Sequence, residues 1–238
     1  MATWKARACN RFSMIISMFE QMEVQKDNLE NIICVTNRHI AAEAAGCAEA
    51  GSSEGREAFL AQLRRVASWK PKAVILREKD LAEDKYRALV KDVLAICHAA
   101  QIPCILHTYA DVAAELGADG LHLPLPVLRN LCAHSSGENL RSRFHTLGAS
   151  CHSVADVREA AELGCTYATV GHIYATDCKK GIPPRGLGLL HDCVAASTIP
   201  VYAIGGITRA RMTEVLAAGA AGACVMSGLM KDTRFSPT

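Results

Sequence analysis

The residues in this chain that could do chemistry sit in short motifs, each following an apolar run. His152 stands in Gly148-Ala149-Ser150-Cys151-His152-Ser153. An imidazole titrates near neutrality, so it can remove a proton and return it to a bound substrate. Gly205-Gly206 and Ser227-Gly228 close two later runs. Glycine lets backbone N–H groups approach an oxyanion closely, and a helix start behind them adds a favourable dipole, so both loops point to a phosphate. Arg77 and Lys79 occupy alternate positions at the end of an earlier run. Alternate strand residues face the same side, so the two cations can hold an anion together; paired with Glu78 and Asp80 they would instead be solvated surface charge. His107, His122 and His172 end or follow other runs, and the polar stretch 171–181, with Thr176, Cys178 and Lys179, has the character of a lid. Lys179 suits an anion, whereas Cys178 has no base partner that the sequence can name.

These motifs need a scaffold that brings eight run ends to one place. Strands are expected at 32–36, 73–77, 104–107, 120–123, 146–150, 167–171, 201–204 and 223–227. They are continuous apolar runs rather than alternating ones, which marks strands buried on both faces. Helical patterns lie between them, clearest at 54–68, 83–100, 154–163 and 209–218, with Ser153 and Thr208 as expected N-caps for the last two. Glu-Leu-Gly-Ala-Asp-Gly (115–120), Glu-Leu-Gly-Cys-Thr-Tyr (162–167) and Ala-Ala-Gly-Ala-Ala-Gly (217–222) echo one another as helix-to-strand turns. Eight uninterrupted β/α units predict an α/β protein with a closed (β/α)8 TIM barrel as its single domain, over 32–238. A doubly wound open sheet is the runner-up, disfavoured because no G-x-G-x-x-G follows the first run. The functional residues of a barrel gather at the C-terminal ends of its strands, where all the motifs above fall.

The two ends depart from a plain barrel. Ten residues follow Gly228, too few for a full last helix. Residues 1–31 precede the first strand, and Phe12, Ile15, Ile16, Phe19 and Met22 share one helical face. This extension is expected to be helical and to fill the gap left by the shortened final helix.

Composition narrows the function. Half the residues are apolar and 5% aromatic, so the core must be built mainly from aliphatic residues. The net charge of +2 has no basic tract behind it, which argues against nucleic acid. Eleven cysteines without C-x-x-C spacing read as small buried hydrophobes in a reducing cytoplasm rather than a metal or disulfide framework. No run reaches the about 18 apolar residues of a membrane helix. Lys5, Arg7 and Arg11 precede an apolar stretch, but Glu20, Gln21 and Glu23 follow it where a signal would carry small residues, so a cytoplasmic protein is expected.

The order of LREKD (76–80), ADGLHL (118–123), GASCHS (148–153), VGHIYATDCKKG (170–181), PVYAIGGIT (200–208) and AGACVMSG (221–228) resembles the thiamine phosphate synthase/TenI superfamily over about residues 32–230. GHIYATDCKKG followed by RGLGLL resembles the TenI branch, the thiazole tautomerases. The synthase branch couples a pyrimidine pyrophosphate to a thiazole phosphate with Mg2+ held by acids after strands three and four. Here those places read His107-Thr108 and His122-Leu123-Pro124-Leu125-Pro126-Val127, and Cys178 stands where the synthase lid usually has threonine. Mg2+ wants hard oxygen ligands, so no metal and no cofactor are expected.

The resemblance implies that His152 shuttles a proton while a carboxythiazole phosphate tautomer becomes aromatic. It implies that Gly205, Gly206, Ser227 and Gly228 hold the phosphate. Arg77 and Lys179 would contact a carboxylate, and His107, His122 and His172 would line the mouth in roles left open. Lys79, Thr176, Cys178 and Met226 complete the expected binding set. The expected partner is a small phosphorylated thiazole, with a functional link to thiazole synthase and a homodimer left open. The alternatives are a thiamine phosphate synthase and a non-catalytic sensor of thiazole or thiamine phosphate.

Overall fold

Strands that must bury both faces need a layer of helices outside and a filled interior within, and the chain supplies both. In a computed structural model that describes residues 29–134 and 140–231, eight strands run Ile32–Val35 (β1), Ala73–Leu76 (β2), Cys104–His107 (β3), Gly120–Pro124 (β4), Leu147–Cys151 (β5), Tyr167–Gly171 (β6), Val201–Ile204 (β7) and Gly222–Val225 (β8). They pair in sequence order, all parallel, and β8 returns to β1, with Ile33 beside Cys224 in register, to close the barrel. The helices are Arg38–Ala44 (α1), Ser53–Ser68 (α2), Glu83–Ala99 (α3), Ala110–Glu115 (α4), Leu125–His134 (α5), Leu140–Arg143 (α6), Val154–Glu162 (α7), Gly186–Ala196 (α8), Met212–Ala217 (α9) and Ser227–Met230 (α10).

The period of two along each strand decides what faces the barrel interior. Ile33, Val35, Ala73, Ile75, Ile105, Tyr167, Tyr202 and Cys224 pack together inside the ring. The alternate residues, such as Cys34, Val74, Leu76, Leu106 and Ala203, pack outward with helical residues such as Phe59, Leu63 and Val90. Extending this alternation past the strand ends sends Arg77, Lys79, Ser150, His152 and Met226 inward and Glu78 outward.

Local bonds fix the rim. Tyr86 on α3 donates its hydroxyl to the carbonyl of Leu76 at 2.7 Å and accepts from the N–H of His107 at 3.1 Å, tying the ends of β2 and β3 to one helix. Ser153 caps α7 by accepting from the N–H of Asp156 at 3.1 Å, as expected from sequence. Thr208 differs from expectation: its side chain makes no capping bond. The segment it precedes is a 3-10 turn, Arg209–Arg211, closed by the N–H of Arg211 on the carbonyl of Thr208 at 3.0 Å, and α9 begins only after it. The last strand ends at Val225, earlier than the sequence run, because Ser227 already starts α10.

The final helix is a single turn within the described residues. The expected N-terminal helix lies outside them, except that Leu29–Asn31 form a 3-10 turn leading directly into β1.

Candidate active site

A cavity of about 940 Å³ opens at the C-terminal ends of the strands. It is lined by His152, Gly205, Gly206, Ser227 and Gly228, by Arg77, Lys79 and His107, and by the lid residues His172, Thr176, Cys178 and Lys179, with Met226 beside them. Of the residues singled out in the sequence, His122 alone does not line it. Its place on β4 is inward, but Pro124 is the inward residue two positions nearer the mouth, so His122 sits one layer down and is 3% exposed.

Every part of His152 except one ring nitrogen is held. Its N–H donates to Asp156 Oδ2 at 2.7 Å, and its carbonyl accepts from Arg185 Nη1 at 2.9 Å. The ring nitrogen Nδ1 lies 2.7 Å from the carbonyl oxygen of Gly171. A carbonyl only accepts, so Nδ1 carries the hydrogen and Nε2 of the neutral ring keeps its lone pair. The next strand thus fixes both the tautomer and the orientation of a base beside the cavity.

The other mouth histidines are different. Burial, then His122, Arg77 and Lys79, push the His107 imidazole down to about 3. Burial and Arg77 push His122 down to about 3 as well. Both are neutral at any physiological pH and too weakly basic to take a carbon-bound proton efficiently. His172 sits under the glycine loop, where a Cβ on Gly205 would strike its Cβ, and its Nε2 lies 3.2 Å from the carbonyl oxygen of Ile182 in the lid.

Groups that could hold an anion lie at two places on the rim. Gly205 and Gly206 take φ of +97° and +66° in the loop after β7, and no hydrogen bond among the described residues uses their N–H groups. Arg211 Nη1 donates to the carbonyl of Gly206 at 2.5 Å, with its guanidinium 4.4 Å from the centroid of the Tyr174 ring. The loop therefore keeps its carbonyl turned to a cation and its amides free for a ligand.

After β2, Arg77 and Lys79 face the cavity while Glu78 turns away. Glu78 accepts from Thr36 Oγ1 at 2.7 Å and from the N–H of Arg38, and Asp80 binds Arg38 and His39. The neighbouring acids are thus used elsewhere, and the pairing of Arg77 and Lys79 with Glu78 and Asp80 that the sequence left open does not form. Burial lowers the Lys79 ammonium from its usual value, and the charges of Arg77 and Lys179 add to the effect. A negatively charged group placed among these cations would offset both effects.

Sequence reading missed Asn37, Ser150, Thr169 and Arg211, all of which line the cavity. Ser150 was legible, since it shares the inward face of β5 with His152. Arg211 was not, because only the 3-10 turn after the glycine loop aims it there.

The Mg2+ of the synthase branch finds no matching donors. The two expected acid positions end β3 and β4 as His107-Thr108 and Pro124, and Asp177 is the only carboxylate among the described residues lining the cavity. It lies in the lid, 3.9 Å from Lys180. Among the described residues no group of three histidine, cysteine or acidic side chains is placed to hold a metal. Imidazole and hydroxyl groups beside cations such as Arg77, Lys79 and Lys179 do not suit a hard dication.

The family model for thiamine monophosphate synthase matches residues 47–229. A thiamine-phosphate synthase of Roseiflexus castenholzii is 34% identical over 164 residues, 66% of this chain and 68% of that protein. Thiamine-phosphate synthase 2 of Streptococcus pneumoniae is 31% identical over 180 residues, 74% of this chain and 81% of its own. Among solved structures, a thiamine phosphate pyrophosphorylase from Pyrococcus furiosus superposes with a TM-score of 0.65 at 23% identity, covering 86% of this chain and 89% of that one, a likeness of fold. With the matched region spanning most of the barrel and all the rim motifs, this chain belongs to the thiamine phosphate synthase/TenI family.

Proposed function

We propose that this chain acts on a phosphorylated thiazole in the making of thiamine phosphate, and that its chemistry is a metal-independent proton transfer, a thiazole tautomerisation. The observation that carries this reading is the 2.7 Å contact of His152 Nδ1 with the Gly171 carbonyl, which sets the tautomer of the neutral ring, in a cavity that the two glycine loops also line. The phosphate is held by the amides of those loops, and Arg77, Lys79 and Lys179 hold the carboxylate end. Nε2 takes the proton from C2 of the dihydrothiazole. The electron pair of that C–H bond becomes the C2=N3 bond, the former C4=N3 pair becomes C4=C5 to complete the aromatic ring, and the exocyclic double-bond pair takes the proton back from the imidazolium. One base serving one face does both steps, and no leaving group needs neutralising. General acid–base catalysis of this kind contributes about 10²- to 10⁴-fold.

A second reading, thiamine phosphate synthesis, is favoured by kinship: the curated relatives cited above are named thiamine-phosphate synthases. Arg77, Lys79 and Lys179 at the mouth would also suit a pyrophosphate. Names weigh toward the transfer, while the donor set of the site weighs toward the proton shift.

One pair of assays separates them. Aromatisation of the carboxythiazole phosphate tautomer is followed by ultraviolet absorbance in excess EDTA, and coupling of thiazole phosphate to pyrimidine pyrophosphate is followed with Mg2+ present. The tautomerase reading expects aromatisation that survives EDTA and is lost in His152→Ala. Mg2+-dependent coupling without aromatisation would replace it with the synthase. Binding of thiazole phosphate with neither reaction would make the chain a sensor.

A further inference from the structure

Inside the barrel, one layer beneath the mouth, three polar side chains from three neighbouring strands form a line. Tyr167 on β6 has its hydroxyl 2.9 Å from His122 Nδ1 on β4, and His122 Nε2 lies 2.9 Å from Ser150 Oγ on β5. Tyr167 and His122 are buried, 5% and 3% exposed, whereas Ser150 lines the cavity. The phenol reaches across an intervening strand because the inward position between them is Gly148. Gly148 stands in register beside both His122 and Tyr167, and a Cβ there would overlap the phenol ring. Glycine at this position is thus what allows the contact.

The direction of each hydrogen bond follows from counting hydrogens. Burial pushes the Tyr167 phenol well above its usual range, so it keeps its hydrogen. Burial and Arg77 keep His122 neutral, so it has one N–H and one lone pair. If His122 donated from Nδ1, the Tyr167 hydrogen would have no acceptor among the described residues, and the Ser150 hydrogen would be spent on Nε2. If Tyr167 donates to Nδ1, then Nε2–H donates to Ser150 Oγ, every buried donor is used, and the Ser150 hydrogen is left over. A buried donor without a partner is costly, so the second arrangement holds.

We infer that Tyr167 and His122 are positioning residues that set the Ser150 hydroxyl as a neutral hydrogen-bond donor aimed into the cavity, two residues along β5 from His152. Ser150 and His152 share the inward face of the strand end. A ligand acceptor, such as a ring nitrogen or a carboxylate oxygen, can then rest on Ser150 while Nε2 of His152 meets a neighbouring C–H bond. Ordering of the donor before the ligand arrives removes a reorientation step, and a chain of aligned hydrogen bonds strengthens the last one. The arrangement of hydrogens stands on the geometry alone; its effect on rate rests on the proton-transfer reading above.

Two measurements test it separately. Long-range 1H–15N spectra of the full chain labelled in histidine, with the His122 signals assigned by their loss in His122→Gln, should show His122 protonated at Nε2. Tyr167→Phe, which keeps the ring that fills the space over Gly148, should leave the hydrogen on Nε2 but shift the 15N signal of Nδ1, which loses the hydrogen bond it accepts. A wild-type ring protonated at Nδ1, or an Nδ1 signal indifferent to Tyr167→Phe, overturns the proposal whatever the protein catalyses. The second measurement is the affinity for thiazole phosphate and the aromatisation rate of Ser150→Ala, Tyr167→Phe and the double variant. Ser150→Ala should cost about tenfold and Tyr167→Phe about threefold, the scale of one hydrogen bond. The double variant should be no worse than Ser150→Ala alone, because Tyr167 acts through the serine. Losses that multiply would show that Tyr167 works independently of Ser150 and would overturn the positioning role. If no variant, wild type included, turns the tautomer over, the functional reading fails, while the affinities and the His122 tautomer still decide this one.

Discussion

The imidazole Nδ1 of His152 lies 2.7 Å from the carbonyl oxygen of Gly171, the last residue of the adjacent strand. That contact turns a histidine at the end of β5 into a base of defined tautomer, and the backbone N–H bond to Asp156 holds the residue that carries it. Asp156 is itself anchored, its N–H donating to the capping Ser153 Oγ at 3.1 Å.

Asp156→Ala should therefore loosen both the helix start and the base. The Ser153 cap uses the backbone N–H of residue 156 and remains, so the loss of the carboxylate's bond to the His152 N–H is expected to cost about 1 kcal/mol of stability. The rate of proton transfer should fall further than stability explains, with little change in KM. Denaturant midpoints alongside steady-state kinetics check it; a variant with full kcat and reduced stability would make Asp156 a structural anchor and nothing more.

The glycine loop after β7 should not accept a side chain. At Gly206, φ is +66°, and a Cβ would stand 2.5 Å from the carbonyl oxygen of Ala175. Gly206→Ala strains the backbone and displaces the lid start together, at a cost above about 1 kcal/mol. Calorimetric titration with thiazole phosphate should show affinity reduced at least about tenfold. Unchanged affinity would move the phosphate site away from this loop.

Lys79→Met should separate stability from binding. Burial and the charges of Arg77 and Lys179 disfavour the ammonium in the folded protein. Removing it should leave the melting temperature unchanged or higher, while affinity for an anionic ligand falls. A lower melting temperature with unchanged affinity would assign Lys79 a structural ion pair instead.

Acid should destabilise this barrel early. His107 and His122 are both held down to about 3, against an ordinary value of 6.5. Above pH 6.5 both are neutral in folded and unfolded chains alike, and they contribute no pH dependence. Below it the unfolded chain takes up protons that the folded one refuses, so stability falls as pH drops from 6.5 toward 3. Each histidine contributes about 1.4 kcal/mol per pH unit once well below 6.5. Urea midpoints measured between pH 7 and 5 should drop, and His107→Asn should flatten the slope, which separates the imidazole from the Glu78 carboxyl that burial also pushes up. A wild-type profile level over that window would contradict the burial of neutral imidazoles.

The sequence by itself determined the barrel and the address of the site. Eight apolar runs broken by helical patterns leave little other way to bury both faces of every strand, and the alternation of side chains along a strand already assigned Arg77, Lys79 and His152 to one side. What it could not settle was depth and partnership. His122 and His107 look alike in the sequence, yet only His107 reaches the cavity, because Pro124 takes the rim position above His122. Glu78 and Asp80 were available to neutralise Arg77 and Lys79, but Thr36, Arg38 and His39, brought in from the neighbouring strand end, bind them first. The free nitrogen of His152 depends on a carbonyl 19 residues away in sequence, supplied by β6. Local spacing fixes which way a side chain points, whereas the hydrogen bonds that set its protonation come from other strands and exist only once the ring of strands has closed.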